Sequence, residues 1–258
     1  MRIAVNIADH CNLNCKGCNA FSPLSGKKFL EIKTFYNDCA RLSELTDGNI
    51  EYISLQGGEP LLNKNINEFI NLSRKFFATG RIIIYTNGIL LPQQNNEFYK
   101  TIKYANAEIM ITKYPIVFDY GKIDKITNYG IKLSYAGSTV NENKTLSHVA
   151  LDTSGNQIPK TQFTMCSQSN VCTVLKQGKI YPCSISANID KFNLYFNERL
   201  KITDKDYIDI YNIATINEVF NFLTRHIPFC RYCNKLKYRW DIKWDTSKKE
   251  KNEWVVQK

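Results

Sequence analysis

The chain has 258 residues, of which 43% are hydrophobic and 12% aromatic, and it carries a formal charge of +10. This length suits one sizeable domain or a domain with a small appendage, and this composition excludes a disordered chain. No apolar run approaches a membrane span, and Met1-Arg2-Ile3-Ala4-Val5-Asn6 lacks the segments of a secretion signal, so a cytoplasmic protein is expected. The densest positive stretch, from Lys235 to Lys258, intersperses Lys248, Lys249 and Lys251 with Glu250 and Glu253. That mixture reads as a solvated surface, and no nucleic-acid partner is expected.

The first two-thirds alternate short β-like runs with longer amphipathic stretches. Residues 3–8 read as a strand. Residues 31–45 carry Ile32, Phe35, Tyr36, Cys39, Leu42 and Leu45 at helical spacing, and residues 50–56 form a second strand ending at Gly57-Gly58. A helix over 66–77 precedes Arg81-Ile82-Ile83-Ile84-Tyr85, a β-branched run suited to a buried parallel strand. A helix over 95–104, a strand over 108–112, a helix over 116–129 and a strand over 131–135 complete the series. This alternation predicts an α/β fold with parallel strands and right-handed crossovers, whose functional groups collect at the strand C-termini. Cys11, Gly57, Thr86 and Lys113 fall there.

Beyond Gly137 the pattern changes. Residues 137–164 read as a polar loop crossing to a second unit. Residues 171–175 and 179–182 flank Gln177-Gly178 as a β-hairpin, and residues 192–195 and 216–223 read as helical. Two domains are expected, 1–160 and 161–258.

Nine cysteines without a secretion signal argue against disulfides, and their grouping argues for metal ligation. Cys11, Cys15 and Cys18 form a C-x-x-x-C-x-x-C triad directly after the first strand. Soft thiolates at this spacing bind zinc or an iron–sulfur cluster. A closed zinc site needs a fourth ligand, and His10, adjacent to Cys11, would have to bend back into the same tetrahedron. A [4Fe–4S] cube on three cysteines leaves one iron open. Gly57-Gly58-Glu59-Pro60 follows the second strand, where glycines admit a close approach to the backbone.

Together these motifs resemble the radical S-adenosylmethionine superfamily, whose fold is a partial (β/α)6 barrel. The resemblance implies that Cys11, Cys15 and Cys18 hold a [4Fe–4S] cluster whose open iron is chelated by S-adenosylmethionine. It implies that Gly57, Gly58 and Glu59 meet the methionine amino group, mainly through backbone atoms. Tyr85-Thr86-Asn87-Gly88 matches the superfamily's third-strand segment, so Thr86 and Asn87 are expected at the methionine pocket, and Thr112 and Lys113 at the carboxylate or ribose. The residue before the third cysteine is usually aromatic in this superfamily and is Gly17 here, which leaves the adenine contact unassigned.

Cys166 and Cys183 bracket the hairpin, with eleven residues before Gly178 and four after it, and Cys230 and Cys233 follow as C-x-x-C. This order resembles the twitch module, a shortened relative of the SPASM module that holds an auxiliary [4Fe–4S] cluster. The resemblance assigns Cys166, Cys183, Cys230 and Cys233 as ligands; Cys172 stands too close to Gly178 for the pattern and reads as a packed small hydrophobe, as does Cys39. No cysteine follows Cys233, so a two-cluster SPASM module is not expected. A four-thiolate zinc site fits the same spacing.

The architecture is similar to twitch dehydrogenases of the 2-deoxy-scyllo-inosamine dehydrogenase type. It implies an oxidoreductase that uses a 5′-deoxyadenosyl radical to take hydrogen from a polar small molecule, a sugar or cyclitol alcohol being favoured, with a flavodoxin or ferredoxin as electron donor. The alternatives are radical modification of a peptide and a non-catalytic zinc protein. The peptide reading expects a precursor-binding segment before the triad, and Cys11 lies only ten residues in. His148, Asp152, Tyr135 and Lys113 are candidates for the proton acceptor, and none is singled out.

Overall fold

The computed structural model describes residues 1–136, 145–148, 150–169 and 171–256. The chain forms two compact units, Met1–Asp9 with Lys28–Lys144 and His10–Lys27 with Thr145–Lys258. Sequence alone suggests one cut after residue 160; in the structure, residues 10–27 leave the first strand and pack among the C-terminal elements instead.

The first unit is built on five parallel strands in the order β5-β4-β3-β2-β1: β1 (Arg2–Ala8), β2 (Tyr52–Gly57), β3 (Arg81–Thr86), β4 (Ala107–Ile111) and β5 (Lys132–Tyr135). Helices α1 (Ile32–Thr46), α2 (Ile66–Phe76), α3 (Asn96–Tyr104) and the short α4 (Gly121–Asp124) connect them. Ile82, Ile83 and Ile84 are all buried, as a parallel strand covered on both faces requires. The helices turn inward the faces that their periodicity marks: Phe35, Cys39 and Leu42 on α1, Phe69 and Ile70 on α2, Phe98 and Ile102 on α3. Each such fully buried Leu, Ile or Phe contributes about 1.5–3 kcal/mol. Asn95 caps α3 by accepting from the Phe98 amide at 2.9 Å.

The helix expected over 116–129 is shorter than its pattern. The Asp119 carboxylate accepts from the Gly121 amide at 3.0 Å, so residues 116–120 stay irregular and α4 begins at Gly121, passing into a 3-10 turn over Lys125–Tyr129.

In the second unit, β7 (Val174–Lys176) and β8 (Lys179–Tyr181) form the expected hairpin, though its first strand starts at Val174. Gln177 (φ 51°) and Gly178 (φ 74°) make a two-residue turn with both residues left-handed, the geometry that matches strand twist. Strand β9 (Ile208–Asp209) adds to β8, and β6 (Thr145–His148) pairs antiparallel with β10 (Arg239–Lys243). Helices α5 (Pro159–Thr164), α6 (Ser184–Phe196) and α7 (Ile216–Leu223) complete the unit. Parts of the stretch read as a loop from 137 onward are thus β6 and α5, while 137–144 lie outside the described residues.

Its core gathers Phe21, Leu24, Leu151, Ile185, Ile189, Phe192, Phe229 and Trp254. Trp254 is fully buried in the segment that charge alone marks as solvated surface. The Glu253 carboxylate, also buried, accepts from the amides of Lys248 (2.7 Å) and Glu250 (3.1 Å) and from the Ser247 hydroxyl (2.6 Å), folding the tail back on itself. Among the described residues no helix is long and apolar enough to cross a membrane.

At the N-terminal ends of the parallel strands Glu108 on β4 binds Arg81 on β3 with two bonds of 2.8 Å and Lys132 on β5 at 2.9 Å. The Arg81 bond, helped by Lys132 and set against burial, lowers the Glu108 pKa to about 2. A carboxylate depressed in the folded state stabilises above its unfolded pKa and loses that contribution as pH falls toward 2. With both cations half-exposed, the expected effect of Glu108→Gln is a loss of about 1–2 kcal/mol at pH 7 that shrinks between pH 4.5 and 2, read from urea unfolding at a series of pH values.

Candidate metal and cofactor sites

The strand C-termini of the first unit converge through one carboxylate. Glu59, just past β2, is fully buried. It accepts from the Thr86 hydroxyl at 2.7 Å, the Asn87 amide at 2.9 Å and the Leu61 amide at 3.1 Å. Burial raises its pKa to about 7, with the three hydrogen bonds pulling the other way. Thr86 Oγ1 also accepts from the Gly88 amide at 3.0 Å, and Asn87 Oδ1 from the Ile89 amide at 3.0 Å. The side chains of Glu59, Thr86 and Asn87 are therefore engaged inside the protein, and what they hold in position is the backbone of the two strand-end loops.

Gly57 explains its own identity. It has φ 129°, and a Cβ there would sit 2.2 Å from the Ala8 carbonyl oxygen, to which the Gly58 amide donates at 2.8 Å. The first glycine is thus demanded by the approach of β1, before any ligand is considered. Thr112 donates its amide to the Thr86 carbonyl at 2.9 Å. The Lys113 ammonium lies over the rings of Tyr135 (4.5 Å) and Tyr120 (5.4 Å), a cation–π position.

The triad loop belongs to the second unit. Cys11, Cys15 and Cys18 are half-buried and form no disulfide. Cys11 Sγ accepts from the Leu13 amide at 3.4 Å and Cys15 Sγ from the Trp244 indole at 3.3 Å. Gly17 is buried with φ 65°, a left-handed turn that a side chain would strain, which accounts for glycine at this position. The Trp254 indole donates to the Cys18 carbonyl at 3.0 Å.

The four cysteines of the second set come together. Cys166 follows α5, Cys183 is the N-cap residue of α6, and Cys230 and Cys233 occupy and end the 3-10 turn Pro228–Tyr232. All four line one small cavity with Phe163, Ser169 and Lys235. Burial pushes the Cys230 thiol up to about 12 and raises Cys233 and Cys183 as well. Burial opposes the Lys235 ammonium, but Cys233, Cys166 and Tyr238 outweigh it and hold its pKa above the ordinary lysine value. The Ser169 hydroxyl is buried without a hydrogen-bond partner. Cys172 does not line this cavity; burial raises its pKa, with Cys183 and Cys166 adding to the rise. Cys39 is fully buried on α1.

Among the described residues no three His, Cys, Asp or Glu side chains converge closely enough to hold a single metal ion. The donor chemistry nonetheless fits clusters: soft thiols outside any disulfide, two of the triad already receiving N–H donors, and a cavity ringed by four thiols with an orphaned hydroxyl in its wall.

Of the proton-acceptor candidates, Tyr135 faces the Lys113 ammonium. Asp152 accepts from the Ser154 amide at 3.0 Å and Gln157 Nε2 at 2.7 Å, closing a local turn. The His148 side chain lies outside the described residues. Sequence reasoning missed Trp244, Trp254 and Lys235; three tryptophans in a charged tail, Trp240, Trp244 and Trp254, were the available signal, since large aromatics seldom remain wholly in water.

Residues 5–116 match the Radical SAM superfamily. The GTP 3′,8-cyclase of Helicobacter pylori (strain HPAG1) is 27% identical over 127 residues, 49% of this chain and 40% of that protein. That of Alkaliphilus oremlandii (strain OhILAs) is 34% identical over 96 residues, 34% of this chain and 28% of that protein. The chain thus spans well under half the length of these relatives. Among solved structures, BtrN in complex with AdoMet and 2-DOIA aligns at TM-score 0.55 and 19% identity, over 90% of this chain and 92% of that one. Native anSMEcpe with bound AdoMet aligns at TM-score 0.52 and 15% identity, over 98% and 94%. These likenesses establish the α/β fold. The superfamily match runs from within the first strand to just past the fourth and covers less than half of the chain.

Proposed function

We propose that the chain is a radical S-adenosylmethionine enzyme acting on a polar small molecule, with a sugar or cyclitol alcohol as the substrate class and oxidation as the outcome. The observation that carries this reading is the thiol triad at Cys11, Cys15 and Cys18 inside the segment that matches the superfamily. In this reading those three thiolates hold a [4Fe–4S] cluster. The Gly57–Gly58 backbone, braced by Glu59 against Thr86 and Asn87, receives the methionine end of S-adenosylmethionine, while Thr112 and Lys113 receive its carboxylate or ribose. Bound together, cluster and S-adenosylmethionine supply an electron and a 5′-deoxyadenosyl radical for hydrogen abstraction. A flavodoxin or ferredoxin is the electron donor.

The cavity ringed by Cys166, Cys183, Cys230 and Cys233 is assigned to an auxiliary [4Fe–4S] cluster. Four protein ligands close such a cluster to substrate but leave it able to accept an electron, which suits a net two-electron oxidation. Cluster ligands stand farther apart than the ligands of one zinc ion, so thiols standing round a cavity favour the cluster over zinc. The Ser169 hydroxyl is a ready donor to an acceptor placed in that cavity.

Three outcomes are expected. Anaerobically purified and reconstituted protein contains about eight irons per chain; zinc without visible absorbance would overturn the enzyme reading. Cys15→Ala abolishes 5′-deoxyadenosine formation with dithionite, whereas Cys233→Ala retains part of the uncoupled cleavage and loses turnover of a cyclitol or sugar alcohol, both followed by chromatography; equal loss in the two variants would make the second site structural. Gly57→Ala, whose added methyl must displace the Ala8 carbonyl, costs about 1–3 kcal/mol of stability and weakens S-adenosylmethionine binding, measured by thermal unfolding and equilibrium dialysis.

A further inference from the structure

The C-terminal segment lies along the triad loop inside the second unit. The Lys16 amide donates to the Asp245 carbonyl at 2.9 Å and the Ser247 amide to the Asn14 carbonyl at 2.7 Å, so Cys15 and Thr246 face each other as one antiparallel rung. Just before this rung the Trp244 indole reaches Cys15 Sγ; just after the tail's last turn the Trp254 indole reaches the Cys18 carbonyl. Trp254 is anchored among Phe21, Phe192 and Phe196. The loop that bears three of the chain's thiols is therefore ordered by a segment more than two hundred residues away in sequence, and one of its sulfurs receives a side-chain N–H from it.

We propose that Trp244 is a positioning residue for the N-terminal cluster: its indole N–H donates to the Cys15 sulfur, held in place by the rung between 14–16 and 245–247, and so raises the cluster's reduction potential. The inference rests on the reading that the triad binds a [4Fe–4S] cluster. The physics is general. Adding an electron makes the cluster more negative, its thiolate sulfurs become better acceptors, and a fixed N–H donor stabilises the reduced state more than the oxidised one. The donor must also be pre-oriented, because an indole free to turn would lose much of this difference to ordering. The rung before Trp254 and the buried Trp254 ring supply that fixation.

Two measurements test it. In reconstituted full-length protein, Trp244→Phe keeps the ring and removes the N–H. The expected result is a reduced fraction of the N-terminal cluster about tenfold lower at a fixed poise, which for a one-electron couple is about 59 mV, by redox titration with electron paramagnetic resonance detection. The auxiliary signal stays where it was. An unchanged N-terminal potential overturns the proposal. In metal-free protein labelled at the indole nitrogens, Cys15→Ala is expected to move one of the three tryptophan N–H resonances, the one that vanishes in Trp244→Phe. This second measurement does not need the phenylalanine variant to load iron. Resonances that stay in place while the wild-type chain takes up iron overturn the inference alone; a wild-type chain that takes up no iron overturns the cluster reading beneath it.

Discussion

A buried carboxylate sets the geometry of the first unit's working edge. Glu59 leaves β2 with no exposure to water, and its two oxygens are spent on the Thr86 hydroxyl and on the amides of Asn87 and Leu61. Parallel strands end in loops that have no ladder partners of their own, and loops built of glycine are entropically expensive to order. A short, fully satisfied polar network ties the loop after β2 to the loop after β3, so that their backbones are presented in one arrangement. The cost of burying this carboxylate appears in its raised pKa, and the hydrogen bonds keep that cost bearable.

The second unit solves a different problem with the same means. Its cysteine loops contain few large apolar side chains, so they cannot pack themselves. Order comes from outside each loop: from Trp254 and its aromatic neighbours for the triad segment, and from α5, α6 and the Pro228–Tyr232 turn for the four-cysteine cavity. Buried polar groups mark the joints. Asp206, fully buried, accepts from the Phe229 amide at 2.6 Å, and Gln162 Oε1 accepts from the Lys235 amide at 2.7 Å. These bonds fix the backbone on which Cys230, Cys233 and Lys235 stand.

Much of the fold was legible because burial writes a period into the chain. The β-branched run Ile82-Ile83-Ile84 and the helical spacing of Phe35, Cys39 and Leu42 needed no tertiary knowledge. Legibility failed where polar groups are satisfied internally. Helix α6 runs from Ser184 to Phe196, yet only its last turn stood out, because Ser186, Asn188 and Lys191 are buried on a helix whose apolar pattern they interrupt. Asn188 donates to the Ser184 carbonyl at 2.8 Å and the Lys191 ammonium to the Ala20 carbonyl at 3.2 Å, bonds that sequence cannot reveal. The basic tail misled for the converse reason: Lys248, Lys249 and Lys251 are indeed near or at the surface, but they are carried by a turn folded over Glu253 and Trp254.

By itself, then, the sequence determined the alternation of strands and helices and the hairpin at Gln177-Gly178, since periodicity and turn chemistry are short-range properties. Only the tertiary structure decided that residues 10–27 pack with the C-terminal elements, that Gly57 answers to the Ala8 carbonyl, that Glu59 faces inward, and that two tail tryptophans reach the triad loop. Each of these is a contact between segments distant in the chain. Such a contact is selected by shape, burial and hydrogen-bond satisfaction in three dimensions, and leaves no periodic trace in either segment.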